Sequence, residues 1–327
     1  MTVSNSETPA ILIPGLLHPR VAERLKSAFP LVELASGDPA LLTQEMKAKV
    51  RGIASAGRVD AAFIDALPHL EIIANFGVGY DGVDARHAGA RGIMVTNTPD
   101  VLTEEVADTA VGLLINTVRE LPRAEAWLRD GRWVREGGYR LTPGTLRGRR
   151  IGIFGMGRIG FAVARRLEAF GLPIAYHNRR PVNGVAYDYF PTLKQLAAAV
   201  DTLVSVAPAT PQTEKIVDAG IFEALGANGV FVNVGRGATV DEAALVAALS
   251  KGTILAAGLD VFTDEPNVPQ ALIDLPNASL LPHVASATVH TRQAMADLAA
   301  DNILSWFSQA RRALTPVPET AEVTARV

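Results

Sequence analysis

The chain has 327 residues, enough for about two domains at roughly 150 residues each. Hydrophobic residues make up 48% of it but aromatics only 6%, so the apolar weight falls on Ala, Val, Leu and Ile, which suits buried parallel strands covered by helices. The net charge of −3 argues against nucleic-acid binding through bulk charge, and the lack of cysteine excludes a disulfide scaffold, a thiolate zinc site, a Cys nucleophile and an iron–sulfur cluster.

Residues 1–8 are mostly polar and carry no basic region ahead of an apolar core, so no signal peptide is expected. The apolar stretch 10–17 falls well short of the roughly 18 residues that span a bilayer. A soluble, cytoplasmic chain with no membrane or nucleic-acid partner is the expectation. Strands are predicted at 10–13, 52–54, 70–74 and 93–96, with helices at 21–29 and 60–67 between them. This alternation implies βαβ units and a parallel sheet. Thr96-Asn97-Thr98-Pro99-Asp100 is a turn-rich break. Thr103 then opens a helix with Glu104 and Glu105 in its first turn, and the apolar spacing of Val106, Ala110, Leu113 and Leu114 carries it to about Val118.

A more polar stretch, 121–146, holds Trp127, Trp133 and Tyr139. A second βα series runs from Arg149 to about His283. The helix predicted at 291–307 comes too late to extend that series and is expected to return to the first domain. The tail from Thr315, with Pro316 and Pro318, reads as disordered.

The strongest local signal is Gly155-Met156-Gly157-Arg158-Ile159-Gly160. It follows the apolar strand 151–154 and opens a helix with Ile159, Val163, Leu167 and Phe170 on one face, the context that a dinucleotide-binding loop requires. Gly155 permits the tight turn, Gly157 lets the backbone approach a pyrophosphate, and Gly160 lets helix and strand pack closely. Contacts to a dinucleotide are therefore expected from Gly155, Gly157, Arg158, Ile159 and Gly160. The next strand, 174–176, should end beside the adenosine ribose, where an NAD site usually carries Asp or Glu about 20 residues past the glycines. Here His177-Asn178-Arg179-Arg180 stands instead. No carboxylate would repel a 2′-phosphate, and two guanidinium groups can bind it, so Asn178, Arg179 and Arg180 point to NADPH. The competing reading makes the two arginines a solvated turn.

Three later strands end in polar clusters. Strand 229–233 leads into Arg236, strand 255–259 into Asp260 and Glu265, and strand 280–281 into His283. In a doubly wound sheet, ligands collect beyond the carboxyl ends of the strands. The three residue types suit reduction of a 2-oxo acid. His283 would supply a proton to the developing alkoxide, Glu265 would orient the ring and favour its protonated form, and Arg236 would hold the substrate carboxylate and polarise the carbonyl. Nothing suggests a metal site. The expected fold class is α/β: two doubly wound parallel-sheet domains, the larger a Rossmann dinucleotide-binding domain. Residues 1–99 plus 288–327 would form a substrate (catalytic) domain and 100–287 the dinucleotide-binding domain.

Taken in order, Gly77-Val78-Gly79-Tyr80-Asp81, 97–103, the glycine loop, 233–241, 258–266 and 282–288 give the chain a further meaning. It resembles the D-isomer-specific 2-hydroxyacid dehydrogenases, and within them the NADPH-dependent glyoxylate/hydroxypyruvate reductases. The resemblance assigns Arg236 to substrate binding and polarisation, Glu265 to partnering the His, and His283 to acid/base catalysis. It implies that the backbone N–H groups of Val78 and Gly79 hold the substrate carboxylate. It also implies that Asp260 contacts the nicotinamide carboxamide, Thr103 lies near the cofactor and Pro208 lines the adenine side. Asp108, where many relatives carry Glu, and Ala285, where many carry Gly, depart mildly from the pattern. A homodimer is implied, with 121–146 as the arm between subunits. Two rivals remain at this point: a dehydrogenase for another 2-hydroxy acid, of D-lactate or aryl-pyruvate type, and a cofactor-sensing corepressor-like scaffold on the same fold.

Overall fold

A computed structural model describes residues 8–325. Internal contacts divide the chain into two compact units. One takes the chain up to Leu102 together with the chain from Thr288, and the other is Thr103–Ala287.

The first unit is built on five strands: β1 (Ala10–Pro14), β2 (Leu31–Leu34), β3 (Val50–Ser55), β4 (Ile72–Asn75) and β5 (Met94–Thr96). They pair in parallel in the order β2-β1-β3-β4-β5. Alternation along β1 serves both faces of the sheet. Ile11 and Ile13 pack with Ala296, Ala300 and Ile303 of the Val289–Phe307 helix, while Ala10 and Leu12 join Phe63, Ile64 and Leu67 on the opposite face. β2 was not foreseen. It is an edge strand with Glu33 exposed and only half-buried neighbours, so it lacks the apolar run that marks the inner strands.

The expected disorder after Thr315 is corrected by the structure. Pro316 bridges to Thr96, and the Val317 N–H donates to the Val95 carbonyl at 2.9 Å. The Thr320 hydroxyl meets both backbone groups of Val95 at 3.1 Å. Val317 and Thr320 are each 1% exposed. The two prolines suggest a loose tail, but the segment completes the open edge of β5 and buries itself there.

The second unit has seven parallel strands: β6 (Ile151–Phe154), β7 (Ile174–His177), β8 (Asp188–Tyr189), β9 (Thr202–Ser205), β10 (Val230–Asn233), β11 (Ala256–Leu259) and β12 (Ala278–Leu280). Their order is β12-β11-β10-β9-β6-β7-β8. The chain winds outward from β6 in one direction and from β9 in the other, so the switch point lies between these two strands. Both units are therefore parallel-sheet α/β structures, and the larger has the Rossmann winding the sequence predicts. The Thr103–Arg119 helix lies directly on the sheet: a Cβ on Gly258 of β11 would stand 2.4 Å from the Thr117 hydroxyl. Phe170 is a smaller correction. The helix after β6 spans Arg158–Glu168, and Phe170 lies beyond its end, 53% exposed. Among the described residues no helix is long and apolar enough to cross a membrane.

Candidate active site

The glycine loop joins β6 to the Arg158–Glu168 helix. Gly155 has φ 102°, a left-handed conformation that side chains resist, and a Cβ there would stand 2.9 Å from the Ala207 nitrogen. A Cβ on Gly160 would stand 2.3 Å from the Gly155 carbonyl oxygen, so the helix packs on the turn at backbone distance. Gly157 differs, because a Cβ there would meet nothing within 4 Å. It caps the helix without a side chain, ahead of Arg158 and Ile159 in the first turn. Open backbone thus sits at the positive end of a helix of 11 residues, which is the environment a dinucleotide pyrophosphate needs.

Asn178 follows β7, and its side chain turns back to this loop. It accepts from the Met156 N–H at 2.6 Å and donates to the Met156 carbonyl at 3.2 Å. The amide therefore clamps the glycine loop to the end of β7. A carboxylate in its place could accept but not donate. Arg179 and Arg180 come next, both exposed, and no Asp or Glu occurs among residues 169–187. Pro208 lies in the loop after β9, across the switch point from the glycine loop, and its carbonyl accepts from the Thr213 hydroxyl at 2.8 Å. Thr103 is the first residue of the Thr103–Arg119 helix.

Arg236, Glu265 and His283 follow β10, β11 and β12, three adjacent parallel strands. Their loops are tied to one another. The Arg236 carbonyl accepts from the Asn233 amide at 3.0 Å and the Thr239 hydroxyl at 2.7 Å. At Gly237 the backbone meets the next loop so closely that a Cβ would fall 1.9 Å from the Phe262 carbonyl carbon. The Phe262 N–H donates to Glu265 Oε1 at 2.9 Å, and Glu265 Oε2 lies 2.7 Å from His283 Nδ1. With Nδ1 committed, Nε2 is the ring atom free to act on a substrate.

His283 itself has φ 52°, left-handed backbone that costs roughly 1–2 kcal/mol for a residue with a side chain. Asp260 holds it there. The His283 N–H donates to the Asp260 carbonyl at 2.9 Å, and the Val284 and Ala285 N–H groups donate to its two carboxylate oxygens at 2.7 and 3.0 Å. Asp260 is fully buried. Burial pushes its carboxyl above the usual range, against the pull of the Val284 and Ala285 hydrogen bonds. This stapling role has no signature in the sequence, since it depends on backbone groups 24 and 25 residues away.

In the first unit the loop after β4 carries Val78 and Gly79. The Asn75 amide donates to the Gly77 and Gly79 carbonyls, each at 3.0 Å, and the Asn97 amide donates to the Val78 carbonyl at 2.8 Å. The Thr98 N–H adds a bond to the Gly77 carbonyl at 3.0 Å. Among the described residues, no hydrogen bond is donated by the N–H of Val78 or Gly79.

Residues 111–285 match the family model for the NAD-binding domain of D-isomer-specific 2-hydroxyacid dehydrogenases. The chain belongs to that family. A solved NADPH-dependent glyoxylate/hydroxypyruvate reductase from Sinorhizobium meliloti, in complex with NADP and malonate, is 60% identical to this dehydrogenase. It superposes with a TM-score of 0.95, covering 98% of this chain and 99% of that one. Glyoxylate/hydroxypyruvate reductase A of Arabidopsis thaliana is 44% identical over 95% of this chain and 99% of its own length. A hydroxyphenylpyruvate reductase from Plectranthus scutellarioides is 46% identical over 85% of this chain and 87% of its own.

Proposed function

We propose that this dehydrogenase is an NADPH-dependent reductase of small 2-oxo acids, glyoxylate and hydroxypyruvate foremost, yielding achiral glycolate from the first and the D-2-hydroxy acid from the second. The observation that carries the reading is the His283–Glu265 pair at 2.7 Å, with the Glu265 loop stacked against that of Arg236 in the unit that bears the glycine loop. The high identity to reductases of this specificity supports it.

NADPH, when bound, supplies the hydride that reduces the carbonyl carbon. Gly155, Gly157, Arg158, Ile159 and Gly160 receive the pyrophosphate, and Arg179 and Arg180 neutralise the 2′-phosphate. Asn178 serves the same site by clamping the loop. Pro208 borders the adenine, and Thr103 lies near the cofactor. Val78 and Gly79 hold the substrate carboxylate through their N–H groups. Arg236 supplies a guanidinium to pair with a carboxylate and polarise the carbonyl. His283 delivers a proton from Nε2 to the substrate oxygen, while Glu265 stabilises the charged ring through Nδ1. Asp260 keeps the His283 loop in place; its side chain is fully buried, so it serves the cofactor site through that loop.

The partner of this chain is a second copy of itself. Leu121, Leu128, Trp133, Val134 and Leu141 are all exposed within one short segment, Val134 at 93% and Leu141 at 95%, a concentration of apolar surface typical of an interface. Light scattering tests this, and a monomer at micromolar concentration would remove the dimer.

Initial rates of NADPH oxidation with glyoxylate, hydroxypyruvate, pyruvate and an aryl-pyruvate test the substrate assignment. Highest kcat/KM on the two small acids supports it. Turnover confined to the aryl-pyruvate would overturn it.

A further inference from the structure

We propose that Asn75 and Asn97 are positioning residues for the substrate: they draw three consecutive carbonyls of the β4 loop inward and so aim the N–H groups of Val78 and Gly79 outward. The inference rests on the reading that these N–H groups hold the substrate carboxylate, and it names what makes them available.

In a trans peptide unit the N–H of one residue points opposite to the carbonyl of the residue before it. Each carbonyl that is tied down therefore fixes the direction of the next N–H. Asn75 and Thr98 hold the Gly77 carbonyl, which turns the Val78 N–H away. Asn97 holds the Val78 carbonyl, which turns the Gly79 N–H away. Asn75 also holds the Gly79 carbonyl, which does the same for Tyr80. One amide thus grips both ends of the loop and the other grips its middle.

Both amides are themselves braced. Asn75 is 5% exposed, at the end of β4. Asn97 is tied to the C-terminal segment: the Thr315 hydroxyl donates to its carbonyl at 2.6 Å, and its N–H donates to the Thr315 carbonyl at 3.3 Å. Thr315 is held in turn by Asn302 of the Val289–Phe307 helix. That side chain is fully buried, accepts from the Leu314 and Thr315 N–H groups at 2.9 and 3.0 Å, and donates to the Thr315 hydroxyl at 2.9 Å. The segment that seals β5 therefore also fixes the residue that orients the loop.

A carboxylate could not replace either amide, because it would face carbonyl oxygens with no proton to donate. This gives a test that separates donation from packing. Asn75→Ala, Asn97→Ala and the near-isosteric Asn97→Asp are compared with wild type for glyoxylate reduction at saturating NADPH, with NADPH affinity measured by fluorescence. Each variant is expected to raise the KM for glyoxylate about tenfold or more, with a much smaller change in kcat and unchanged NADPH affinity. Asn97→Asp should match Asn97→Ala. If the Ala variants fail to fold, Asn97→Asp alone decides. An unchanged glyoxylate KM, an Asn97→Asp that behaves as wild type, or an equal loss of NADPH affinity would overturn the proposal. Gly79→Pro, which deletes one N–H outright, separates the two levels. If it raises the KM and the Asn variants do not, the carboxylate reading stands and this inference falls. If it too leaves the KM unchanged, the carboxylate reading falls as well.

Discussion

Asp260 fixes the backbone of His283: its carbonyl accepts the His283 N–H at 2.9 Å, while its carboxylate caps the two N–H groups that follow. A left-handed residue persists only where the surroundings over-determine it; here the Asp260 and Leu281 carbonyls both accept the His283 N–H, and the Asp260 carboxylate caps the next two N–H groups. Asp260→Ala should therefore lower kcat for glyoxylate by about tenfold or more, in line with hydrogen bonds to a charged group worth ~1.5–3 kcal/mol. Stopped-flow single turnover reads this step directly. A variant with wild-type turnover would show that the loop holds its shape without the staple.

On the proposed reading, the arginine pair after β7 selects the cofactor. Replacing Arg179 and Arg180 together with Ala removes the two exposed guanidinium groups proposed to meet the 2′-phosphate. We expect kcat/KM with NADPH to drop by about tenfold to a thousandfold, and the NADH value to change little. Steady-state kinetics with both cofactors checks this. Equal losses with the two would indicate a general disturbance of the loop.

The glycines separate into packing and access. Gly160→Ala drives a methyl group onto the Gly155 carbonyl, at 2.3 Å before relaxation, and should cost about 1–3 kcal/mol of stability. Gly157→Ala meets nothing in the chain and should leave the thermal midpoint nearly unchanged, while NADPH binding weakens. Thermal unfolding paired with NADPH titration distinguishes the two variants, and the opposite assignment of effects would refute the division.

Stability at low pH has an identifiable contributor in the first unit. Asp297 accepts from Arg20 at 2.7 and 3.0 Å and from Arg24 at 2.8 Å. The Arg20 hydrogen bonds, aided by Arg24 and opposed by partial burial, hold its carboxyl below the usual range. A depressed native value means stability that is present above the unfolded value near 4 and lost as pH falls through the native one. Asp297→Asn should thus lower the melting temperature at pH 7 by an amount equivalent to about 1 kcal/mol or less, given the partly exposed pair. The gap should close as pH falls below about 4. A gap that persists unchanged at pH 2 would contradict this linkage.

What could be read from the sequence was whatever announces itself locally. β6, β10 and β11 are short apolar runs; β6 ends at the glycine loop, and the other two end at the polar residues picked out as chemistry. β2 and β8 escaped because both are short edge-like strands carrying Glu33 and Asp188, without an apolar run. The C-terminal segment escaped for a different reason. Its burial depends on Val95, more than 200 residues earlier, and no window of sequence contains that contact. The same holds for Asn97, whose partner is Val78, and for Asp260, whose partners follow His283. The residue types proposed to do chemistry were visible, whereas those that hold them in place became visible only with the fold.

His283→Ala is the most direct test of the whole account, because it removes the proposed proton donor while leaving the glycine loop and arginine pair intact. Glyoxylate reduction by NADPH should fall by about 10²–10⁴-fold, the usual contribution of a positioned acid or base, with NADPH affinity essentially preserved. Full turnover by the variant would contradict proton delivery from this ring.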